Sequence, residues 1–398
     1  YIEDGVNGYI FPFQDAVFLS RILDDIESGV KKICDPDVCK KRVAAFGNKA
    51  YYGKIMHIFG CLTNDKALKK NRISVVIPCY NREDTIRECV ESLIGQDLPK
   101  YLYELLFIDD ASDDGTASIL TEYQRKNPEN IHIITLQNSS GGYPGRVRNI
   151  GLSNVSGEYV CFVDSDDYVD ENMLSDMYAL AEENDADVVS AGIRMFEQGK
   201  GIIRETDKKD MILDLSYIDD LLKMLPFEGS DPSVLTRLYK KSFLDEKGIR
   251  FPEDRKMSED QLFSMKGILL AKKYVVTSRI YYNYRNSTDS LWHNKKTVDV
   301  LWGCIETQKE LYPLYLSRLK DFPEVYGWYL FHAAFTVRDS LLAQGDLDGY
   351  KSLLPRIKEY LDEYAPGITD NRIVNTQNDE EFKRFVEELR SLSVYGVS

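Results

Sequence analysis

The stretch Glu158-Tyr159-Val160-Cys161-Phe162-Val163-Asp164-Ser165-Asp166-Asp167 decides how this sequence is read. Its first half is a short apolar run rich in β-branched and aromatic residues, the pattern of a strand buried on both faces of a parallel sheet. Its second half puts three carboxylates where that strand empties into solvent, and charges so close repel one another unless a cation sits among them. Hard oxygen ligands of this kind suit Mg²⁺ or Mn²⁺, ions that keep waters and bridge to substrate phosphates. An Asp-x-Asp alone is common in solvated turns; here the strand before it gives it weight.

Upstream, strand and helix patterns alternate. Ile73-Ser74-Val75-Val76-Ile77-Pro78 reads as a buried strand, 84–93 as a helix, 103–108 as a strand, 116–125 as a helix, 131–134 as a strand and 146–152 as a helix. Such alternation predicts a doubly wound α/β sheet, whose ligands lie at the carboxyl ends of the strands. Three further polar clusters fall at such ends. Pro78-Cys79-Tyr80-Asn81-Arg82 offers an aromatic face for stacking a base, although a tyrosine here is more often packing. Asp109-Asp110-Ala111-Ser112-Asp113-Asp114-Gly115 offers carboxylates that accept from a base or ribose, or that cap the next helix. Asn138-Ser139-Ser140-Gly141-Gly142-Tyr143-Pro144-Gly145-Arg146-Val147-Arg148-Asn149 is a glycine-rich turn at a helix start, suited to an anion. It is neither GxGxxG nor a P-loop.

The whole chain has 398 residues, long enough for more than one packed unit, with 43% hydrophobic and 29% charged residues, an ordinary globular mixture. With 65 acidic against 50 basic residues the net charge is −15, which gives no field to attract a phosphate backbone, so nucleic acid is not an expected partner. Seven scattered cysteines without a CxxC pair read as reduced thiols of a cytosolic protein, and four histidines show no zinc-ligand spacing. Beyond residue 295, amphipathic patterns over 298–319, 325–342, 347–364 and 380–392 predict a helical C-terminal subdomain with Trp302, Trp328, Tyr329, Phe331 and Phe335 in its core. The polar run 63–71 reads as a linker. The expected organisation is therefore 1–70, 71–294 and 295–398.

Two resemblances add to this reading. Glu3-Asp4-Gly5-Val6-Asn7-Gly8 and the helical patterns after it are similar to the C-terminal end of a family 4 GT-B glycosyltransferase, which implies that the first 70 residues are a remnant or linker without a catalytic half. A helical cap on the next domain is the equal alternative. The four strand-end clusters, taken in order and spacing over about 72–290, resemble the nucleotide-sugar-binding half of family 2 GT-A glycosyltransferases.

That second resemblance implies that Pro78 and Tyr80 cradle a uracil beside Asn81, that Asp110 hydrogen-bonds its ring, and that Asn138 and Arg148 complete the pocket. It makes Asp166 the direct metal ligand, adds Asp164 to the metal site through contact with the ribose or a metal-bound water, and puts Ser165 in the nucleotide-sugar site. Glycine usually stands where this chain has Ala111. Glycosyl transfer also needs a base for the acceptor hydroxyl. In Met257-Ser258-Glu259-Asp260-Gln261 an acidic pair precedes an apolar helix, a pattern equally that of a helix start. Resemblance to wall-teichoic-acid and capsule transferases selects Asp260 as base and Glu259 as a supporting acceptor contact. In Tyr282-Asn283-Tyr284-Arg285-Asn286-Ser287-Thr288-Asp289-Ser290 it implies that Arg285 and Ser290 hold the diphosphate.

The expectation is an inverting transferase, dependent on Mn²⁺ or Mg²⁺, that moves a sugar from a UDP-sugar to a hydroxyl of a surface glycan or lipid-linked acceptor. Expected company includes the inner face of the plasma membrane and further copies of the chain. The alternative is a catalytically silent nucleotide-sugar-binding scaffold. A nicotinamide dehydrogenase is disfavoured because Pro78-Cys79-Tyr80-Asn81 occupies the place of its glycine fingerprint.

Overall fold

The computed structural model describes residues 71–197, 199–228, 233–286, 296–377 and 379–394, all within the compact unit Lys70–Ser398. The expectations for residues 1–70 and for Ser290 fall outside them.

Four strands form the first half of the sheet, three of them buried and the third, at the edge, mostly half-buried: β1 (Ile73–Cys79), β2 (Tyr103–Asp109), β3 (Ile131–Thr135) and β4 (Tyr159–Phe162). They lie in the order β3-β2-β1-β4 and are all parallel, with Val75 level with Leu105 on one side and Cys161 on the other. The crossovers are α1 (Ile86–Ile94), α2 (Thr116–Lys126) and α3 (Pro144–Asn154). Parallel pairing leaves all four carboxyl ends on one edge, which gathers the polar clusters.

The second half of the sheet is mixed. It contains β5 (Tyr168–Val169), α4 (Met173–Asn184), β6 (Val188–Glu197), β7 (Gly201–Glu205), β8 (Met211–Asp214), α5 (Ile218–Glu228), β9 (Arg237–Lys240), α6 (Lys241–Glu246), α7 (Glu259–Leu270) and β10 (Lys273–Arg285). The sheet continues as β4-β9-β6-β10-β5, with β9 antiparallel to both its neighbours and β5 antiparallel to β10. Pairing of Tyr282 with Val169 and of Asn283 with Tyr168 returns the end of β10 to the turn after β4. Two register shifts between β10 and β6 bend the strand on the way.

An aromatic cluster couples β4 to α7. Phe251 and Phe263 stack at 4.0 Å, and Phe162 meets them edge-on at 5.1 and 5.6 Å. Phe162 stands two residues before Asp164 and Phe263 three after Asp260, so this packing ties the two acidic segments together.

The helical end consists of α8 (Val298–Leu319), α9 (Pro323–Ala343), α10 (Leu347–Tyr364), α11 (Arg372–Asn375) and α12 (Glu380–Val394). The 298–319 and 347–364 patterns give helices of those bounds, passing through Pro313 and Pro355 without a break. Tyr329 and Phe331 are buried, Trp328 and Phe335 stack on Phe382, and Trp302 is partly buried with Arg356 over its ring. Arg338 is 1% exposed and ion-paired to Glu381 and Glu388 on α12, which meets the cost of burying its charge.

Candidate active site

The turn after β4 brings together Asp164, Asp166 and Asp167, with ligand-capable oxygens all within 4.8 Å of one another. Their environments differ. Asp167 is buried and faces inward, accepting from the Tyr282 hydroxyl at 2.8 Å and the Arg285 N–H at 2.7 Å. Burial, then the charges of Asp166 and Asp164, holds its carboxyl well above the usual range. Burial and Asp167 likewise push the Tyr282 phenol up, so it stays protonated and donates. The same phenol oxygen accepts from the Asp164 N–H at 3.0 Å and so pins the turn.

Asp164 and Asp166 are partly buried and keep oxygen capacity toward the cleft. Burial and the neighbouring Asp164 raise Asp166, against the pull of Arg82, whose guanidinium lies 3.3 Å away. A divalent cation relieves this crowding, and the partly exposed Asp164 and Asp166, with oxygens within 4.8 Å of each other, fit one. Neither Arg82 nor Tyr282 was marked in the sequence as a site residue, and only the antiparallel return of β10 makes Tyr282 legible.

Arg148 joins the two acidic clusters. It projects from α3, is 6% exposed, and reaches Asp164 at 3.0 Å with one terminal nitrogen and Glu259 at 2.8 Å with the other. Burial opposes its charge, but Asp164, Glu259 and Asp260 outweigh burial and raise its pKa. Its Nε is buried without a hydrogen-bond partner, so the guanidinium is held by these acids and by the Phe251 ring at 5.6 Å. Glu259 is itself 6% exposed and ion-paired with Arg148.

Asp260, one residue on, is partly buried, and its Oδ1 accepts from the Gln261 N–H at 2.7 Å. Burial first, then the Glu259 charge, pushes its carboxyl up to about 7 against the pull of Arg148. A carboxylate poised near neutrality is suited to taking a proton.

The loops after β1 and β2 are laced together. Asn81 Nδ2 donates to Asp113 at 2.7 Å and the Asp113 N–H donates back to Asn81 Oδ1 at 3.0 Å. Asp114 accepts from the Thr116 N–H at 2.9 Å, the helix-start role open to it in the sequence. Asn81 at φ 49° and Ala111 at φ 60° are left-handed, which explains the preference for glycine at the second position and costs alanine roughly 1 kcal/mol. Beside this lacing Pro78 is partly buried, and the Tyr80 ring is 48% exposed and open to a planar ligand. Asp110 is buried, and both its oxygens accept from Ser139 and Ser140 at 2.6–3.2 Å. Asn138 is exposed next to those serines. Ser165 is buried with its carbonyl accepting from Thr85, and Arg285 donates through Nε to the Asp166 carbonyl at 2.9 Å and pairs with Glu88.

The glycine-rich turn is partly a packing device. Gly141 and Gly142 have φ 76° and 82°, while a Cβ on Gly145 would lie well inside contact distance of the Pro252 carbonyl oxygen. Gly145→Ala is therefore expected to push away the segment that leads to Asp260 and to cost about 1–3 kcal/mol in a denaturant melt.

With this geometry in hand, the comparisons identify the class: the family model "Glycosyl transferase family 2" matches residues 74–247, and the chain belongs to that family. Over 258 residues it is 30% identical to the poly(ribitol-phosphate) beta-N-acetylglucosaminyltransferase TarP of Staphylococcus aureus, covering 63% of this chain and 75% of TarP. Over 213 residues it is 38% identical to a poly(ribitol-phosphate) beta-glucosyltransferase of Bacillus spizizenii, covering 54% of this chain but 32% of that protein. The chain thus spans about a third of the length of that relative, and 35% of TarS from S. aureus. A crystal structure of S. aureus TarS 1-349 with UDP-GlcNAc superposes with a TM-score of 0.64 at 25% identity, over 81% of this chain and 92% of that one. The fold is accordingly the GT-A type with a helical C-terminal region.

Proposed function

We propose that this chain carries an inverting, metal-dependent glycosyltransferase that moves a sugar from a UDP-sugar to a hydroxyl of a teichoic-acid-type polyol-phosphate glycan. The observation that carries the reading is the Asp164–Asp166 cluster joined through buried Arg148 to the Glu259–Asp260 pair at the start of α7. The relatives named for poly(ribitol-phosphate) transfer supply the acceptor class, and the TarS complex with UDP-GlcNAc supplies the donor class.

In this reading Tyr80 stacks the uracil at the end of β1, and Asp110, Asn138 and Asn81 border it. Asp164 and Asp166 hold Mn²⁺ or Mg²⁺, which when bound neutralises the charge developing on the departing diphosphate. Arg285 holds the diphosphate in this reading; Ser290, the other residue expected there, falls outside the described residues. Asp260 takes the proton from the acceptor hydroxyl as its oxygen attacks the anomeric carbon, and Arg148 and Glu259 keep that carboxylate in place. A cleft of about 260 Å³ between the glycine-rich turn and α8 is lined by Tyr143, Lys256 and Trp302 together with Asp254, Asp299 and Glu306. Buried free thiols at Cys79, Cys89, Cys161 and Cys304 support a reducing compartment. Among the described residues no helix is long and apolar enough to cross a membrane.

The test is UDP release from UDP-glucose and UDP-N-acetylglucosamine with poly(ribitol phosphate) as acceptor. Chelation by EDTA, or Asp166→Ala, is expected to lower turnover by about 10²-fold or more, with Mn²⁺ restoring only the unsubstituted chain. UDP binding without turnover of either donor would return the protein to the scaffold alternative.

A further inference from the structure

The turn that leads into α7 is held from outside the sheet. Ser258, the residue before α7, has φ 65°, a left-handed conformation that a serine keeps only where its surroundings over-determine it. Those surroundings belong to α8. The Cys304 sulfur lies 3.1 Å from Ser258 Oγ, and the Thr307 hydroxyl donates to the Ser258 carbonyl at 3.2 Å. Thr307 Oγ1 in turn accepts from Arg255 Nη1 at 3.1 Å, and Arg255 pairs with Glu310. A Cβ on Gly303 would stand 3.3 Å from the Met257 carbonyl, so α8 approaches the turn closely.

Gly303, Cys304, Thr307 and Glu310 fall at helical spacing on one face of α8, and all four meet the segment 255–258. Thr307 is fully buried and Cys304 is 4% exposed, so neither can touch a substrate. The Ser258 carbonyl also accepts the Leu262 N–H at 3.1 Å, the α-helical bond that sets the axis of the first turn of α7. Asp260 lies in that first turn.

We infer that Cys304 and Thr307 are positioning residues for the transfer reaction, acting through Ser258 to set where the Asp260 carboxylate stands. The inference rests on the reading of Asp260 as base. It gives the helical end a catalytic duty: α8 fixes the proton acceptor relative to a donor site built by the strand-end loops. A misplacement of the order of 1 Å at a reacting group is enough to cost about 10²-fold in rate without weakening donor binding.

The experiment uses the full chain, whichever of UDP-glucose and UDP-N-acetylglucosamine it turns over, and poly(ribitol phosphate). Thr307→Val keeps the shape and removes the hydroxyl. It is expected to lower acceptor-dependent kcat about tenfold or more while leaving the donor KM and the calorimetric Kd for UDP with Mn²⁺ within about twofold. Thr307→Ser, which keeps the hydroxyl, is expected to restore kcat. Cys304→Ala should act in the same direction with Cys304→Ser as its rescue, and serves if Thr307→Val does not fold. Unchanged kcat in Thr307→Val and Cys304→Ala overturns the inference, as does a loss of UDP affinity equal to the loss of kcat, or failure of the serine variants to rescue. Asp260→Asn run alongside separates the two levels. If it is fully active, the reading of the base has failed, and if it is inactive while the α8 variants are normal, the inference alone has failed.

Discussion

Asp260→Asn is expected to lower acceptor-dependent turnover by about 10²–10⁴-fold, the range over which a positioned general base contributes, and to leave UDP-sugar binding unchanged. Asparagine keeps the shape and the bond from the Gln261 N–H but cannot take a proton. The unsubstituted chain should show kcat/KM rising with pH. Burial and the Glu259 charge raise the Asp260 carboxyl to about 7, so on acidification it protonates, and stops acting as a base, well above the ordinary carboxylate range. A cation on Asp164 and Asp166 adds positive charge nearby and draws the midpoint below that value. Glu259→Gln should shift the limb further toward acid, because it removes the repelling charge and leaves Arg148 facing Asp164 and Asp260 alone. A flat profile between pH 5 and pH 8, about as wide as the separation between free and raised carboxylates, would remove Asp260 from the mechanism.

How much of this was legible beforehand follows from the range of the forces involved. Strands β1 to β4 and helices α8 and α10 announce themselves through local periodicity, and the carboxylates at Asp164–Asp167 stand out because a strand pattern stops there. The antiparallel half did not, since which strand a short run such as Arg237–Lys240 pairs with is decided by contacts across the sheet. The part played by Tyr282 was hidden for the same reason: its phenol meets Asp167 across 115 positions of sequence. Glu259 is a different case. Adjacent to Asp260, it resembles a second acceptor contact, but residues one apart on a helix do not share a face, and this one turns toward Arg148 on α3. Ser258 and Thr307 give no sequence signal at all, for a left-handed serine and a buried threonine hydroxyl are visible only once α8 lies against the turn.

Arg148→Met is expected to be the most destabilising single change in the catalytic region. The arginine is buried between two carboxylates, and its removal leaves Glu259 buried without its counter-ion. Breaking a buried pair from one side costs about 3–5 kcal/mol, because the remaining charge keeps its desolvation penalty and loses its compensation. Denaturant melts at pH 8 should show that deficit against the unsubstituted chain. Arg148→Met combined with Glu259→Gln should recover much of the loss at pH 8, since an amide carries no charge to desolvate. Activity should not return with stability, because Asp164 still lacks the partner that holds it beside Asp166. If the double variant were no more stable than the single one, Arg148 would be packing against Phe251 rather than balancing charge, and the electrostatic bridge between the two acidic clusters would be discarded.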